Sequence, residues 1–139
     1  MRLTLALDSW SRRDRRYTAA LIAEIVSALA RVDRLWLAAH PTAPAIYRSG
    51  VEYRREPRGV EEWQDIPSIL ARGHGDCEDL SAWRIAELRR LGLDARPVID
   101  AHPRADGGTT YHVRLAVDGT AEDPSLVLLG RARPTLPLP

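Results

Sequence analysis

The chain has 139 residues, 45% of them hydrophobic and 28% charged, which is the composition of a globular domain rather than of a disordered or membrane protein. Its formal net charge is only +1, and its arginines are spread along the whole chain, so nucleic-acid binding is not favoured. The single cysteine cannot form an internal disulfide, and no apolar run approaches the ~18 residues of a membrane span.

The length and the distribution of prolines predict one domain over residues 1–129. A proline-rich tail over residues 130–139 has no periodic pattern and is expected to be poorly ordered. The apolar run near the start is shorter than the ~7 to 15 residues of a signal-peptide core. A cytoplasmic protein with a reduced thiol is therefore expected.

The first third of the chain is predicted to be mainly one helix. Leu3, Leu5 and Leu7 alternate with smaller residues and indicate a short strand. Apolar residues then recur every three or four positions over residues 13–39, which predicts an amphipathic helix with a possible break at Asp33. Its expected inward-facing residues are Tyr17, Leu21, Ile25, Leu29, Val32 and Leu35.

Two further helices are predicted around the cysteine. Asp65 and Gly73 are suited to cap the two ends of a short helix over residues 66–72. The next helix has Asp76 as its N-cap and Gly92 as its stop, and its wide apolar surface indicates a central, largely buried position.

The last part of the domain is predicted to be a small sheet. Three strand-like runs cover residues 95–100, 111–117 and 120–127, and the dipeptide at 118–119, Asp-Gly, is a strong signal for a two-residue hairpin. Helices followed by an antiparallel sheet predict an α+β fold.

Cys77 is the candidate nucleophile because it lies in the first turn of the predicted central helix, where backbone amides favour a thiolate. Gly75 just before it leaves room for an extended substrate backbone. The neighbouring carboxylates of Asp76, Glu78 and Asp79 act in the opposite direction, since they raise the pKa of a thiol, and a cationic partner is needed to offset them. The alternative interpretation of Cys77 is an inert core thiol.

His112 is the candidate base because it is carried by a predicted strand, whereas His40 and His102 each precede a proline in less regular chain. A two-residue turn at 118–119 pairs Arg114 with Asp123, so His112 and Asp123 lie on the same face of the hairpin as diagonal neighbours. A register slip of one residue would separate them. The alternative interpretation of Asp123 is that Asp-Pro simply ends a strand.

These residues supply the roles of thiol acyl transfer: Cys77 attacks a carbonyl, His112 holds and returns the proton, and Asp123 orients the imidazole. The backbone N–H of Cys77 is the first candidate donor to the oxyanion. The predicted oxyanion and substrate-binding residues precede the nucleophile in the chain: Trp63, Gln64, Gly75 and Asp76. Trp63 is also a candidate core residue.

Several motifs together resemble the transglutaminase-like superfamily within the papain-like cysteine enzymes: GDCED at 75–79, ARPV at 95–98, YHVRLAVDG at 111–119 and EDPS at 122–125. The resemblance covers about residues 50–127 and implies a papain-like core, in which the cysteine helix packs on a small antiparallel sheet. It also implies a Cys-His-Asp triad in that chain order, which falls on Cys77, His112 and Asp123. The chain is similar to short prokaryotic and phage-encoded members, expected in the bacterial cytoplasm.

The resemblance implies a protein or peptide substrate and no cofactor. The spread of charge and the lack of a long apolar run predict neither a nucleic-acid nor a membrane partner. Hydrolysis by a cysteine peptidase or amidase is favoured over transglutaminase-type amine acceptance, because the core is small. Two other hypotheses stay open. One is a catalytically inactive binding or phage-assembly module on the same scaffold, and the other is a metal site that uses His74, Cys77, His112 and a carboxylate.

Overall fold

The computed structural model describes residues 1–4, 14–57 and 61–136. They form an α+β domain, as predicted, with this order of elements: β1 (Arg2–Thr4), α1 (Arg15–Ala39), a 3-10 turn (Ile46–Arg48), β2 (Glu52–Tyr53), β3 (Glu62–Gln64), α2 (Ile66–Arg72), β4 (His74–Gly75), α3 (Cys77–Arg90), β5 (Ala95–Pro103), β6 (Thr109–Val117), β7 (Thr120–Glu122) and α4 (Pro124–Leu128). The predicted strand positions at Leu5 and Leu7, and the predicted helix start at residue 13, lie outside the described residues.

Helix α1 is confirmed as a long helix, but its predicted inward face is only partly right. It begins after Asp14, whose side chain accepts a hydrogen bond from the backbone N–H of Arg16 at 2.8 Å. Of the residues expected inside, Leu29 is buried and Leu21 and Ile25 are half-buried, whereas Val32, Leu35 at 73% and Tyr17 at 58% are exposed. The buried row consists of Thr18, Ile22, Val26, Leu29, Ala30, Asp33 and Leu37. Small and polar residues in this row allow close packing, which a count of large apolar residues does not detect.

The predicted break at Asp33 is also wrong, because α1 continues through it to Ala39. The side chain of Asp33 is fully buried, and its Oδ1 accepts a hydrogen bond at 2.9 Å from the backbone N–H of Ile66 at the start of α2. Its Oδ2 has no hydrogen-bond partner in the part of the chain that the structure describes. Asp33 therefore links α1 to the start of α2 by a hydrogen bond inside the core.

Replacing Asp33 with asparagine is expected to flatten the pH dependence of stability. Burial raises the pKa of Asp33 from its ordinary 3.8 to about 7, against the effect of the Ile66 N–H. The folded state thus binds this proton more tightly than the unfolded chain, and the wild type loses up to about 4 kcal/mol as the pH rises from about 4 to above 7. Urea denaturation at pH 5 and pH 8 would measure this loss. An equal pH dependence in the variant and the wild type would contradict the assignment.

Helices α2 and α3 begin and end as the capping residues predict. Asp65 caps α2, and Gly73 ends it in the left-handed conformation with φ 76°. Asp76 and Asp79 form a reciprocal capping box at the start of α3. Helix α3 packs against α1 on one side and against β5 and β6 on the other, so it is the predicted central, buried helix.

The main sheet is antiparallel with the strand order β5-β6-β7. The predicted hairpin register is confirmed, since Val117 pairs with Thr120 and Leu115 with Glu122. The predicted third strand is too long, because β7 ends at Glu122. Asp123 caps α4 and Pro124 occupies its first turn, and this start of a helix ends the strand.

The remaining strands form two short pairs, β1 with β3 antiparallel and β2 with β4 parallel. In the tail that was predicted to be poorly ordered, the backbone N–H of Thr135 donates to Glu122 at 2.7 Å and the carbonyl of Leu136 accepts from Arg84. Among the described residues, no helix is both long enough and apolar enough to cross a membrane.

Candidate active site

Cys77 is the first residue of α3, and its side chain lies against β6. The backbone N–H of Val113 lies close enough to the sulfur to act toward lowering the pKa of the thiol. One turn further along α3, the hydroxyl of Ser81 donates to the carbonyl of Val113 at 3.2 Å. The cysteine is therefore held beside the strand position next to His112.

The surroundings of Cys77 favour the neutral form of its thiol. It donates a hydrogen bond to Oε2 of Glu78 at 3.0 Å, and the residue is only 8% exposed. Burial raises its pKa well above the ordinary value, and the carboxylates of Glu78 and Asp76 raise it further. The sequence left two opposing effects on this pKa, and burial together with the carboxylates outweighs the start of the helix.

Replacing Glu78 with glutamine is expected to make the thiol ionise at lower pH. The change removes a carboxylate in direct contact with the sulfur and leaves the size of the side chain unchanged. The midpoint of thiol ionisation should therefore fall by about one pH unit. The rate of alkylation by iodoacetamide, measured against pH, reports the thiolate fraction. Glu52→Gln is the matched control, since Glu52 is exposed on β2. A midpoint equal to or above that of the wild type would contradict the role given to Glu78.

His112 and Asp123 form the hydrogen bond that the hairpin register predicts. Nε2 of His112 lies 2.6 Å from Oδ2 of Asp123. The other carboxylate oxygen, Oδ1, accepts from the backbone N–H groups of Ser125 and Leu126 at 3.0 and 3.3 Å and so caps α4. Both interpretations of Asp123 thus hold, since it ends the strand and it contacts the imidazole.

This pair changes the pKa of both partners. The hydrogen bond to Asp123 raises the pKa of His112, while burial acts to lower it. Burial acts to raise the pKa of Asp123, but the hydrogen bond and the charge of His112, together with the backbone N–H groups of Ser125 and Leu126, outweigh it and the pKa is lowered. The carboxylate therefore stays ionised near neutral pH and accepts a hydrogen bond from Nε2–H, so Nδ1 is the ring nitrogen that the predicted proton exchange with the sulfur would use.

A second carboxylate, Asp100, faces His112 directly across β5 and β6. Its carboxylate accepts two hydrogen bonds from Arg114, from Nε to Oδ2 at 2.6 Å and from a terminal nitrogen to Oδ1 at 3.2 Å. The sequence analysis missed this pair, because the register between β5 and β6 is set by a loop without a two-residue turn. Arg114 holds Asp100 in place beside the imidazole while Asp123 makes the hydrogen bond.

The surroundings of the thiol are acidic. Burial raises the pKa of Glu61 to about 7, with further contributions from the charges of Glu78 and Glu56. Glu78 also contributes to the raised pKa of His112. The same carboxylate thus acts on both the sulfur and the imidazole.

The four residues proposed for the oxyanion and the substrate lie around the start of α3. The backbone and side-chain amides of Gln64 donate to the two oxygens of Asp79, each at 2.8 Å. Trp63 is a core residue with 3% exposure. A side chain on Gly75 would come within 3.1 Å of Asp79 Cβ, and Asp76 is the helix cap. These contacts fix the helix start, and the role of these residues toward a substrate stays a prediction.

The metal hypothesis required His74, Cys77 and His112 to converge with a carboxylate. Within residues 1–4, 14–57 and 61–136, no group of three or more histidine, cysteine and acidic side chains is arranged to hold a metal ion. His74 lies in β4, where it pairs with Glu52 of β2. The structure does not bring the proposed metal ligands together.

The sequence analysis also missed a buried ionic cluster behind Asp123. Arg84 of α3 and Glu122 of β7 have fully buried side chains, and Nε of Arg84 donates to Oε1 of Glu122 at 2.6 Å. The sequence did carry a signal for this cluster, an arginine in the middle of a helix that is predicted to be largely buried. A buried arginine needs a carboxylate partner.

One comparison with known proteins found a family match. A sequence model of the transglutaminase-like superfamily matches residues 38–120, which is more than half of the chain and includes Cys77 and His112. The match ends three residues before Asp123. A search of the curated proteins and a search of the solved structures each found no match. The extent of the family match shows that the chain belongs to the transglutaminase-like superfamily.

Proposed function

We propose that this chain catalyses thiol-dependent acyl transfer on peptide or amide substrates, with Cys77 as nucleophile, His112 as base and Asp123 as its orienting partner. The superfamily typically carries out cysteine-based acyl transfer or peptide cleavage, which supports the reaction class. The observation that carries the proposal for this chain is the 2.6 Å bond between His112 and Asp123, formed one residue from the strand position that contacts the sulfur.

The first step begins with proton transfer from the thiol of Cys77 to Nδ1 of His112. The sulfur then forms a bond to the substrate carbonyl carbon, and the carbonyl electrons move to the oxygen. The backbone N–H of Cys77 at the helix start is the proposed donor to this oxyanion. Asp123 stabilises the imidazolium through its bond to Nε2.

Collapse of the tetrahedral species breaks the bond to the leaving amine, which takes the proton from Nδ1, and a thioester at Cys77 remains. A second nucleophile then gives up its proton to His112 and attacks the thioester, and the thiol is regenerated. We favour water as this nucleophile because the core is small, and an amine acceptor would use the same steps.

The experiment is to incubate the full chain with a peptide thioester or an activated ester and to look for an acyl group on Cys77 by mass spectrometry. The wild type is expected to form the adduct and to release it to water, while Cys77→Ala forms none. A peptide library would then define the cleaved bond. Equal turnover by the wild type and by Cys77→Ala would overturn the proposal.

A second candidate function is a catalytically inactive binding or assembly module. The neutral thiol, bonded to Glu78 rather than to the imidazole, favours this candidate. The same labelling experiment separates the two functions when it is repeated up to about pH 9, where even a raised thiol pKa leaves some thiolate. No adduct at any pH would favour the inactive module.

A further inference from the structure

The position of Asp123 depends on the residue before it. Asp123 and Glu122 are neighbours at the end of β7, so their side chains project to opposite faces of the sheet. The carboxylate of Glu122 points into the core, where Oε1 accepts hydrogen bonds from Arg84 Nε and from the hydroxyl of Tyr47, each at 2.6 Å. Its Oε2 accepts from the backbone N–H of Thr135 at 2.7 Å. Glu122 is thus anchored from three separate segments.

The guanidinium of Arg84 is itself held on several sides. It donates to Oε2 of Glu87 at 3.2 Å, and Glu87 in turn accepts at 2.7 Å from the backbone N–H of Ile46. The ring of Tyr47 lies 5.0 Å from its central carbon, and the carbonyl of Leu136 accepts from it. Because each of its three nitrogens donates to an acceptor, the guanidinium is held with its Nε toward Glu122.

Arg84 and the nucleophile lie on the same helix. Cys77 and Arg84 are seven residues apart in α3, which is two turns and a rise of about 10 Å, so they lie on nearly the same side. The same rigid element therefore carries the sulfur at its start and, two turns later, the cation that anchors the end of β7. We propose that Arg84 is a positioning residue. By holding Glu122, it keeps the neighbouring Asp123 where its carboxylate accepts a hydrogen bond from His112.

This inference rests on the proposed function, but it can be tested without measuring activity. The charged groups that face His112 are Asp123 at the start of α4, Asp100 on β5 and Glu78 on α3. The hydrogen bond that His112 donates to Asp123 is the largest influence that raises the pKa of His112. A displaced Asp123 must therefore lower the pH at which His112 titrates, and this readout differs from a loss of stability.

The experiment follows the ring proton resonances of His112 against pH in the full chain. Arg84→Lys keeps the charge but loses the planar fork of donors, and Tyr47→Phe removes one hydrogen bond to Glu122 without any change of charge. Both are expected to lower the titration midpoint by about half a unit, toward the value set by Asp123→Asn as the reference. The kcat of acyl transfer should fall with it, by about tenfold.

The control is Val26→Ala, which creates a cavity in α1 away from the ionic cluster and lowers the melting temperature. It should leave the midpoint of His112 unchanged. An unchanged midpoint in folded Arg84→Lys and Tyr47→Phe would overturn the inference even if the wild type is active. The labelling of Cys77 tests the proposed function separately, because a shifted midpoint does not require turnover.

Discussion

Replacement of His112 with alanine is expected to slow acylation of Cys77 by about 10³-fold at pH 7, within the range of roughly 10²- to 10⁴-fold that general acid–base catalysis supplies. Burial and Glu78 raise the pKa of the thiol, which favours its neutral form. Without the imidazole, the proposed base for this proton is lost. The rate of adduct formation with the activated ester measures this effect.

The matched control for this experiment is His102→Ala. His102 is exposed near the end of β5 and pairs in the sheet with Thr110, so the change removes an imidazole from the neighbouring strand without a change at the thiol. Its acylation rate should equal that of the wild type. If His112→Ala also reacted at the rate of the wild type, His112 would not be the base.

Replacement of Arg84 with methionine is expected to lower the free energy of unfolding by about 3 to 5 kcal/mol, the usual loss when one partner of a buried ion pair is removed. The change leaves the carboxylates of Glu122 and Glu87 in the core without their cation. Urea denaturation at pH 8 measures the loss.

The pH dependence of the free energy of unfolding provides a second, independent test of the role of Arg84. Burial acts to raise the pKa of Glu122, but the hydrogen bonds from Arg84, Tyr47 and the Thr135 N–H, together with the charge of Arg84, outweigh it, and the pKa is lowered in the wild type. Glu122 therefore stabilises the wild type above its ordinary pKa, and this contribution is lost as the pH falls through the lowered value. In Arg84→Met, burial raises the pKa of Glu122 because the opposing cation is gone. The loss in free energy of unfolding should therefore be larger at pH 8 than at pH 5.

The matched control for Arg84→Met is Arg96→Met, which removes an arginine from an exposed pair with Asp94. Exposed pairs contribute little because water screens them, and no measurable loss is expected. If Arg84→Met were no less stable than Arg96→Met at pH 8, the buried cluster would not support the fold.

The sequence predicted the active-site hairpin well because local chemistry determines it. Asp118 and Gly119 both adopt positive φ, 48° and 80°, which is the requirement of the tight turn that their sequence indicates. The turn fixes the register, and the register brings His112 and Asp123 together. The starts of α2 and α3 were equally predictable, since Asp65 and Asp76 act as caps within a few residues.

Long-range packing decided what the sequence did not predict. The inward face of α1 depends on contacts with α3 and β5, which select Thr18 and Asp33 over the larger Tyr17 and Leu35. The protonation of Cys77 depends on how deeply the start of α3 is buried, and no spacing of residues in the chain reports that depth.

The two oxygens of Asp123 bond to different neighbours, and this couples the orientation of the imidazole to local motion. Oδ1 accepts from the first amides of α4 and Oδ2 bonds to the imidazole, so the carboxylate cannot rotate without breaking one of these bonds. Helix α4 has only five residues, and helices this short have little intrinsic stability. Fraying of α4 releases Oδ1 and lets the carboxylate rotate. If Asp123 acts in the proposed triad, the fraction of molecules with an oriented imidazole is expected to follow the opening equilibrium of this one helical turn.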